Sequence, residues 1–300
     1  MNKRKKILIA NRGVIAIRAL RAAKELGYEV ASVYSTADRN LKHLKLSDEA
    51  ICIGPPDSRE SYLNEAAIIS AAELANVDGI YPGYGFLAEN AEFAEKCKNS
   101  GFKFIGPSHE IISLMGDKIR AKDLMRQLGV PVVPGYEGPV DSKQQIENEV
   151  TKIGLPVIIK AAAGGGGRGM RIVKEISQLW DAIQDAKSEA NVAFGNDLVF
   201  IEKYLERPRH VEIQVFGDGR GEVVHLFSRD CSLQRKYQKI IEEAPAANIP
   251  LEKLEEIHRI SVQACQELKY EGAGTLEFLY ENEEFFFIEM NTRIQVEHTV

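Results

Sequence analysis

Short apolar runs alternate with helical patterns over the first third of the chain. Ile7 to Ala10, Val30 to Tyr34, Ile51 to Ile53, Gly79 to Tyr81 and Lys103 to Ile105 read as strands. Between them lie helices. One is opened by Gly13, with Ile15, Ala19, Ala22 and Leu26 on one face, and others run Leu63 to Ala75 and Ala88 to Lys98. Strands separated by helices predict βαβ units and a doubly wound parallel sheet. Several strands end in Gly or Pro turns, Asn11-Arg12-Gly13, Pro82-Gly83-Tyr84-Gly85 and Gly106-Pro107. Such turns line the carboxyl edge of the sheet, where α/β folds collect ligands.

From Ser108 the pattern changes. One helical segment is expected to Leu128, then a Gly/Pro-rich connector, Gly129 to Gly138. Longer alternating runs follow, with a hairpin signal at Gly217-Asp218-Gly219. A helix over Leu251 to Leu268 places Leu254, Ile257, Ser261, Ala264 and Leu268 on one face. The fold class is therefore α/β, an N-terminal doubly wound parallel sheet followed by an α+β part with antiparallel sheet. The boundary is placed near residue 113, giving domains 1–113 and 114–300.

Composition narrows the class of function. A net charge of −6, from 38 Lys+Arg against 44 Asp+Glu, counts against nucleic acid as the main partner. Nothing approaches the roughly 18 apolar residues of a membrane span, and Ile7 to Ala10 is too short for a signal-peptide apolar region. Cys52, Cys97, Cys231 and Cys265 form no CxxC pair and are expected to be buried thiols in a reducing compartment. The expectation is a soluble cytoplasmic protein.

Candidate chemistry sits in four places. Gly164-Gly165-Gly166-Gly167-Arg168-Gly169 joins the strand Pro156 to Lys160 to another, Met170 to Val173. Glycines without Cβ let backbone amides approach an anion, although a flexible hairpin tip has the same composition. It is not a P-loop, since it joins strand to strand, and Lys160 tips the reading towards nucleotide phosphates. Second, Glu277 lies in the strand Leu276 to Tyr280, and Glu289 and Asn291 share a face at the end of Phe285 to Asn291. These are oxygen ligands of the kind Mg²⁺ takes. Direct opposition of Glu277 and Glu289 predicts a three-residue loop, Asn282-Glu283-Glu284, with Glu281 paired to Phe285. Third, Arg293, Gln295 and Glu297 share a face if extended, with Glu297 a candidate base; a surface ion pair is the plainer alternative. Fourth, Arg229 to Lys239 is cationic and suggests an anionic substrate, unless it is a solvated charge run. His210 and His225, without ligand spacing, read as hydrogen-bonding or core residues.

These residues carry a resemblance. Ile9-Ala10-Asn11-Arg12-Gly13, Tyr81 to Asn90, Met115-Gly116-Asp117-Lys118, Lys160 to Met170, Glu202 to Gln214, Arg229 to Pro245 and Glu289 to His298 follow one another as in the biotin carboxylases of the ATP-grasp superfamily. The chain most resembles the free-standing subunit of bacterial acetyl-CoA carboxylase. The resemblance implies an ATP-grasp domain with a mobile lid over about 131–203, and a reaction. MgATP phosphorylates bicarbonate to carboxyphosphate, whose carboxyl group passes to biotin on a carrier protein. It puts Lys118, Lys160, Gly165, Gly166, Glu202, Lys203, Tyr204, Leu205, His210, Gln234 and Tyr237 at ATP positions, with Tyr237 where the family commonly has His. Glu277, Glu289 and Asn291 fall at Mg²⁺ or Mn²⁺ positions, the two glutamates also contacting the nucleotide. Lys239, Arg293, Val296 and Glu297 fall at bicarbonate positions; of these Lys239, Arg293 and Glu297 are the catalytic candidates, with Glu297 as base.

Implied partners are a biotin carboxyl carrier protein, carboxyltransferase subunits and a second copy in a homodimer. No methionine is followed by lysine, so biotin is expected on another polypeptide. Family members continue beyond Val300 into a segment bearing a further arginine. The 300-residue chain is therefore expected to bind ATP better than it transfers carboxyl groups, and to expose apolar surface around Phe278 and Phe285 to Phe287. The acceptor stays open between acetyl-CoA, propionyl-CoA and pyruvate systems. Another ATP-grasp ligase making an acyl phosphate, or a nucleotide-binding remnant without turnover, is the alternative.

Overall fold

The computed structural model describes residues 5–136, 138–161, 170–235 and 238–300. The first part runs β1 (Lys6–Ile9), α1 (Gly13–Glu25), β2 (Glu29–Ser35), α2 (Lys42–Leu46), β3 (Glu49–Gly54), α3 (Glu65–Ala75), β4 (Gly79–Tyr81), α4 (Ala91–Asn99) and β5 (Lys103–Phe104). The strands are parallel, in the order β3-β2-β1-β4-β5, so the order reverses beside β1. Two Gly turns meet there. Asn11 Nδ2 donates to the carbonyls of Pro82 (2.6 Å) and Tyr84 (2.8 Å). Gly83 between them has φ +70°, and a Cβ would stand 2.9 Å from Ile15. Cys97, Cys231 and Cys265 are buried, but Cys52 is exposed, contrary to expectation, because β3 is an edge strand.

The single helix expected over Ser108 to Leu128 is two: α5 (His109–Gly116) and α6 (Lys118–Gln127). Asp117, at φ −92° and ψ 106°, leaves the first and caps the second, its Oδ1 accepting from the amides of Ile119 and Arg120 at 3.1 Å. Such a cap contributes about 1 kcal/mol and sets Lys118 in the first turn. Helix α5 serves both halves of the molecule, Ile112 packing in the N-terminal core and Met115 in the next.

β6 (Gly135–Tyr136), α7 (Lys143–Ile153), β7 (Val157–Ala161), β8 (Arg171–Val173), α8 (Leu179–Phe194) and β9 (Val199–Lys203) follow. Their antiparallel sheet, β6-β9-β7-β8, has its own core of Ile146, Val150, Ile159, Ile183 and Ile201. The glycine run Gly164 to Gly169 lies outside the described residues.

β10 (Arg209–Asp218), β11 (Val223–Arg235), β12 (Gln238–Glu243), α9 (Leu251–Glu267), β13 (Glu271–Glu281) and β14 (Glu284–Asn291) complete the chain. The five strands are antiparallel in the order β12-β11-β10-β13-β14. Period-2 alternation divides the sheet. Val211, Ile213, Leu276, Phe278 and Phe287 pack with Ile257 and Ala264 of α9, and Glu212, Gln214, Thr275 and Glu277 take the opposite face. Phe278, Phe285 and Phe287 are buried, so the expected exposed apolar surface is absent at these three positions. Among the described residues no helix is long and apolar enough to cross a membrane.

Glu277 and Glu289 are paired directly, but not through the expected loop. Glu281 pairs with Glu284 across a two-residue turn, Asn282-Glu283, and Ile288 is the extra residue of a bulge that restores the phase. Both turn residues are left-handed, with φ of 52° and 62°. Asn tolerates that region and Glu does not, so Glu283 is strained by about 1 kcal/mol. Glu283→Gly is expected to raise stability by up to about 1 kcal/mol, read from the denaturant midpoint at unchanged slope.

Candidate functional site

Four residues stand side by side across the polar face of the second antiparallel sheet. Arg229 is opposite Glu212, Glu212 opposite Glu277, and Glu277 opposite Glu289. Carboxylates on neighbouring strands repel, and cations gather to offset them. Lys239 of β12 donates to Glu212, to Glu277 Oε1 (3.1 Å) and to Glu297 Oε1 (2.7 Å). His210 Nε2 lies 2.9 Å from Glu277 Oε2, and Arg229 Nη2 donates to Glu212 Oε2 at 3.2 Å. Burial works against a charged Glu277, yet His210 and Lys239 hold its pKa at about 2. Burial likewise opposes the Lys239 ammonium, and Glu277 and Glu212 reverse this, pushing it above the ordinary lysine range. Glu212 is pushed up by burial and by the charge of Glu277.

Glu289 differs from its neighbours. Burial and the charge of Glu277 push its carboxyl up, and Lys118 Nζ stays 4.0 Å away. A like-charged pair facing one side, one member short of a bonded cation, fits a divalent ion. His210, Glu212 and Glu277 also bring ligand atoms within 4.8 Å of one another, but the Lys239 ammonium already serves both glutamates. Asn291 Nδ2 donates to Glu277 Oε1 (2.7 Å), and its Oδ1 accepts from Arg293 Nη2 (2.9 Å). Its oxygen has a second lone pair with which it could join a metal beside Arg293.

The segment after β14 is not extended. It turns into a 3₁₀ helix, Val296–Thr299, so Arg293, Gln295 and Glu297 do not share a strand face as expected. Arg293 Nε donates to Glu89 Oε2 (2.7 Å), and the Thr292 amide to Glu89 Oε1 (3.3 Å). Glu297 instead meets Lys239, whose bond outweighs burial and holds the carboxyl below its ordinary pKa. Val296 is exposed on this turn.

The other end of the site is built from β7, β9 and α6. Lys160 Nζ donates to Glu202 Oε2 at 2.6 Å, and Glu202, 1% exposed, is shared with Lys122, which stacks 5.1 Å from the Phe200 ring. One carboxylate is thus shared between two ammoniums. Burial and the neighbouring Lys118 pull Lys160 down to about 8. Lys203 turns away, donating to the carbonyls of Gly154 (3.0 Å) and Leu155 (2.9 Å), and the Tyr204 amide donates to Pro156 O (3.0 Å). Leu205 follows, half-buried. His210 Nδ1 and Gln234 Nε2 are 2.8 Å apart, joining two expected nucleotide positions. Gly165, Gly166 and Tyr237 lie outside the described residues.

Four residues of the site escape the sequence reading: Glu212, Arg229 as a buried group, Lys122 and Glu89. Glu212 shares strand parity with His210, which was the available signal. Glu89 lies in the Tyr81 to Asn90 motif, but only the tertiary fold brings it to Arg293.

The family model "Biotin carboxylase, N-terminal domain" matches residues 3–112. "Carbamoyl-phosphate synthase L chain, ATP binding domain" matches residues 117–300. A biotin carboxylase of Pseudomonas aeruginosa is 57% identical over 296 residues, 98% of this chain and 66% of that protein. The crystal structure of a biotin carboxylase–β-γ-ATP complex from Campylobacter jejuni is 52% identical with a TM-score of 0.91, covering 99% of this chain and 67% of that one. The biotin carboxylase domain dimer of Hydrogenobacter thermophilus 2-oxoglutarate carboxylase, solved with MgADP, ADP and bicarbonate, is 45% identical with a TM-score of 0.88, over 99% and 65%. The chain thus spans 66% of the length of the curated relative. Both halves are matched in order and the carboxylate row lies in the second, so the chain belongs to the biotin carboxylase family of ATP-grasp proteins.

Proposed function

We propose that the protein is an ATP-dependent biotin carboxylase, supplying the first half-reaction of an acetyl-CoA carboxylase in the cytoplasm. The observation that carries this reading is the Lys239–Glu297 contact of 2.7 Å beside the opposed Glu277 and Glu289. It joins an anion-binding cation and an ionised carboxylate to a pair that fits a divalent cation. The 57% identical relative is named simply a biotin carboxylase, which supports the free-standing subunit. The proposed partners are a biotin carboxyl carrier protein, carboxyltransferase subunits and a second copy, the last supported by the dimer of the 2-oxoglutarate carboxylase domain.

In the proposed reaction ATP lies between Lys160, Lys118 and the lid on one side and Glu277 and Glu289 on the other. Those glutamates would hold Mg²⁺ or Mn²⁺, which screens the triphosphate charge and orients the γ-phosphoryl group. Glu297 takes the bicarbonate proton, the freed oxygen attacks the γ-phosphorus, and ADP leaves with the bridging electron pair, giving carboxyphosphate. Arg293 and Lys239 face the resulting anion. The C–O bond to phosphorus then breaks, the released phosphate takes the N1′ proton of biotin, and the enolate so formed, stabilised by Arg293, bonds through N1′ to the freed carboxyl carbon. Catalysis here is positioning and charge stabilisation.

Three outcomes follow. ATP hydrolysis should depend on bicarbonate and rise with free biotin; hydrolysis indifferent to both would remove the reading. Glu297→Gln should lower bicarbonate-dependent kcat by about 10²- to 10⁴-fold with ATP affinity kept, measured by steady-state kinetics and nucleotide titration. Lys160 loses its proton as pH rises through about 8, and only the charged form attracts phosphate. ATP affinity should therefore fall between pH 7 and 9.5, roughly the window around that pKa, and Lys160→Gln should bind weakly without this dependence.

A further inference from the structure

The cationic run from Arg229 to Lys239 divides in the structure. Lys239 faces the site, whereas Arg229 is 4% exposed with its guanidinium engaged on several sides. Nε and Nη2 donate to Glu212 Oε2 at 3.4 and 3.2 Å, Nη1 to Gln214 Oε1 at 3.1 Å, and Nη2 to Gln295 Oε1 at 3.0 Å. None of these partners has a reacting role in the proposed function. We propose that Arg229 is a positioning residue for the bicarbonate end of the site, joining Glu212 of the sheet to Gln295 and so fixing the turn that carries Arg293 and Glu297 against Lys239. This rests on the functional reading above.

The turn needs such an anchor. β14 is followed by a short 3₁₀ helix, Val296–Thr299, an element with poor hydrogen-bond geometry of its own. Gln295, immediately before it, is 3% exposed and bonded at both ends of its amide. Its oxygen accepts from Arg229 and its nitrogen donates to Glu277 Oε1 at 3.1 Å. The guanidinium fixes which way the amide points, and Glu297 lies two residues on. The other end of the contact is tied to the same group. Arg229 occupies Glu212 Oε2, leaving Oε1 for Lys239. Both members of the Lys239–Glu297 pair are thus referenced to one planar fork. A lysine would keep the charge, but its single nitrogen cannot span Glu212, Gln214 and Gln295 in a plane.

The test compares Arg229→Lys with the unaltered protein, by steady-state kinetics and by hydrogen exchange. The bicarbonate KM should rise about 10- to 100-fold, as small displacements of a reacting group do, while the ATP KM stays within about twofold. Exchange should quicken over residues 292–299 and stay unchanged in β10 and β13. Because a lone buried Glu212 could unfold a neutral variant, Arg229→Met with Glu212→Gln removes both charges together. It should show the same selective bicarbonate loss, since Gln295 still lacks its donor. Unchanged bicarbonate KM and exchange in Arg229→Lys would overturn the proposal. So would a joint loss of ATP and bicarbonate parameters with faster exchange throughout the sheet, which marks a merely structural residue. If the unaltered protein shows no bicarbonate-dependent turnover, the functional reading falls, and exchange over 292–299 still decides whether Arg229 holds the turn.

Discussion

Glu212, Glu277 and Glu289 stand opposite one another on three neighbouring strands, and the site is arranged around the repulsion this creates. On an exposed sheet, like charges directly opposite cost only a fraction of a kcal/mol to about 1. Glu212 is fully buried and Glu277 nearly so, where an uncompensated charge costs several kcal/mol. The compensation is correspondingly heavy: Arg229 on Glu212, Lys239 on Glu212 and Glu277, and His210 on Glu277. The row becomes less closely neutralised towards Glu289, whose carboxyl is pushed up by its neighbour. That end faces Lys118 and is the place for further positive charge.

The end built from β7, β9 and α6 uses the same device with the sign reversed. Glu202 lies between Lys160 and Lys122, two ammoniums to one carboxylate. The ammoniums of β7 and α6 thus stand across from the carboxylates of β13 and β14, which suits a triphosphate that also brings a divalent cation. The parallel domain reaches this region through Glu89, which binds Arg293 and the Thr292 amide. Its own tie, Asn11 to the carbonyls of Pro82 and Tyr84, shapes the loop that delivers Glu89.

Period-2 and period-3.6 patterns carried the architecture because each strand and helix has one apolar side. The parallel sheet was legible from Ile7, Val30, Ile51, Gly79 and Lys103, and α9 from Leu254 to Leu268. Local backbone events were not legible. The helix break at Asp117 depends on one cap, and the bulge at Ile288 is a single extra residue whose apolar side chain matches its neighbours. The opposition of Glu277 and Glu289 was foreseen with the wrong loop, because a bulge plus a two-residue turn gives the same phase as a three-residue loop. The second layer was harder still. Glu212 and Arg229 look like ordinary polar positions of strands, and only cross-strand register brings them together.

The apolar face of the same sheet holds a full core of Val211, Ile213, Leu276, Phe278 and Phe287, so the fold does not need the charged row to bury its hydrophobic surface. Replacing such a row with apolar residues is often neutral or stabilising, which makes its presence an argument about chemistry. Lys239 sharpens the point. An ammonium has three donors, and here they go to Glu212, Glu277 and Glu297. In the proposed reaction, bicarbonate must take over one of these contacts. Glu212 and Glu277 are fixed in strands with Arg229 and His210 also upon them, whereas Glu297 rides on a 3₁₀ turn. Glu297 is therefore the partner that yields. Its carboxyl is held below the ordinary range by the Lys239 bond, so releasing that bond raises its basicity as the anion docks. In the proposed reaction, the contact that holds Glu297 ionised without substrate is the one that bicarbonate breaks.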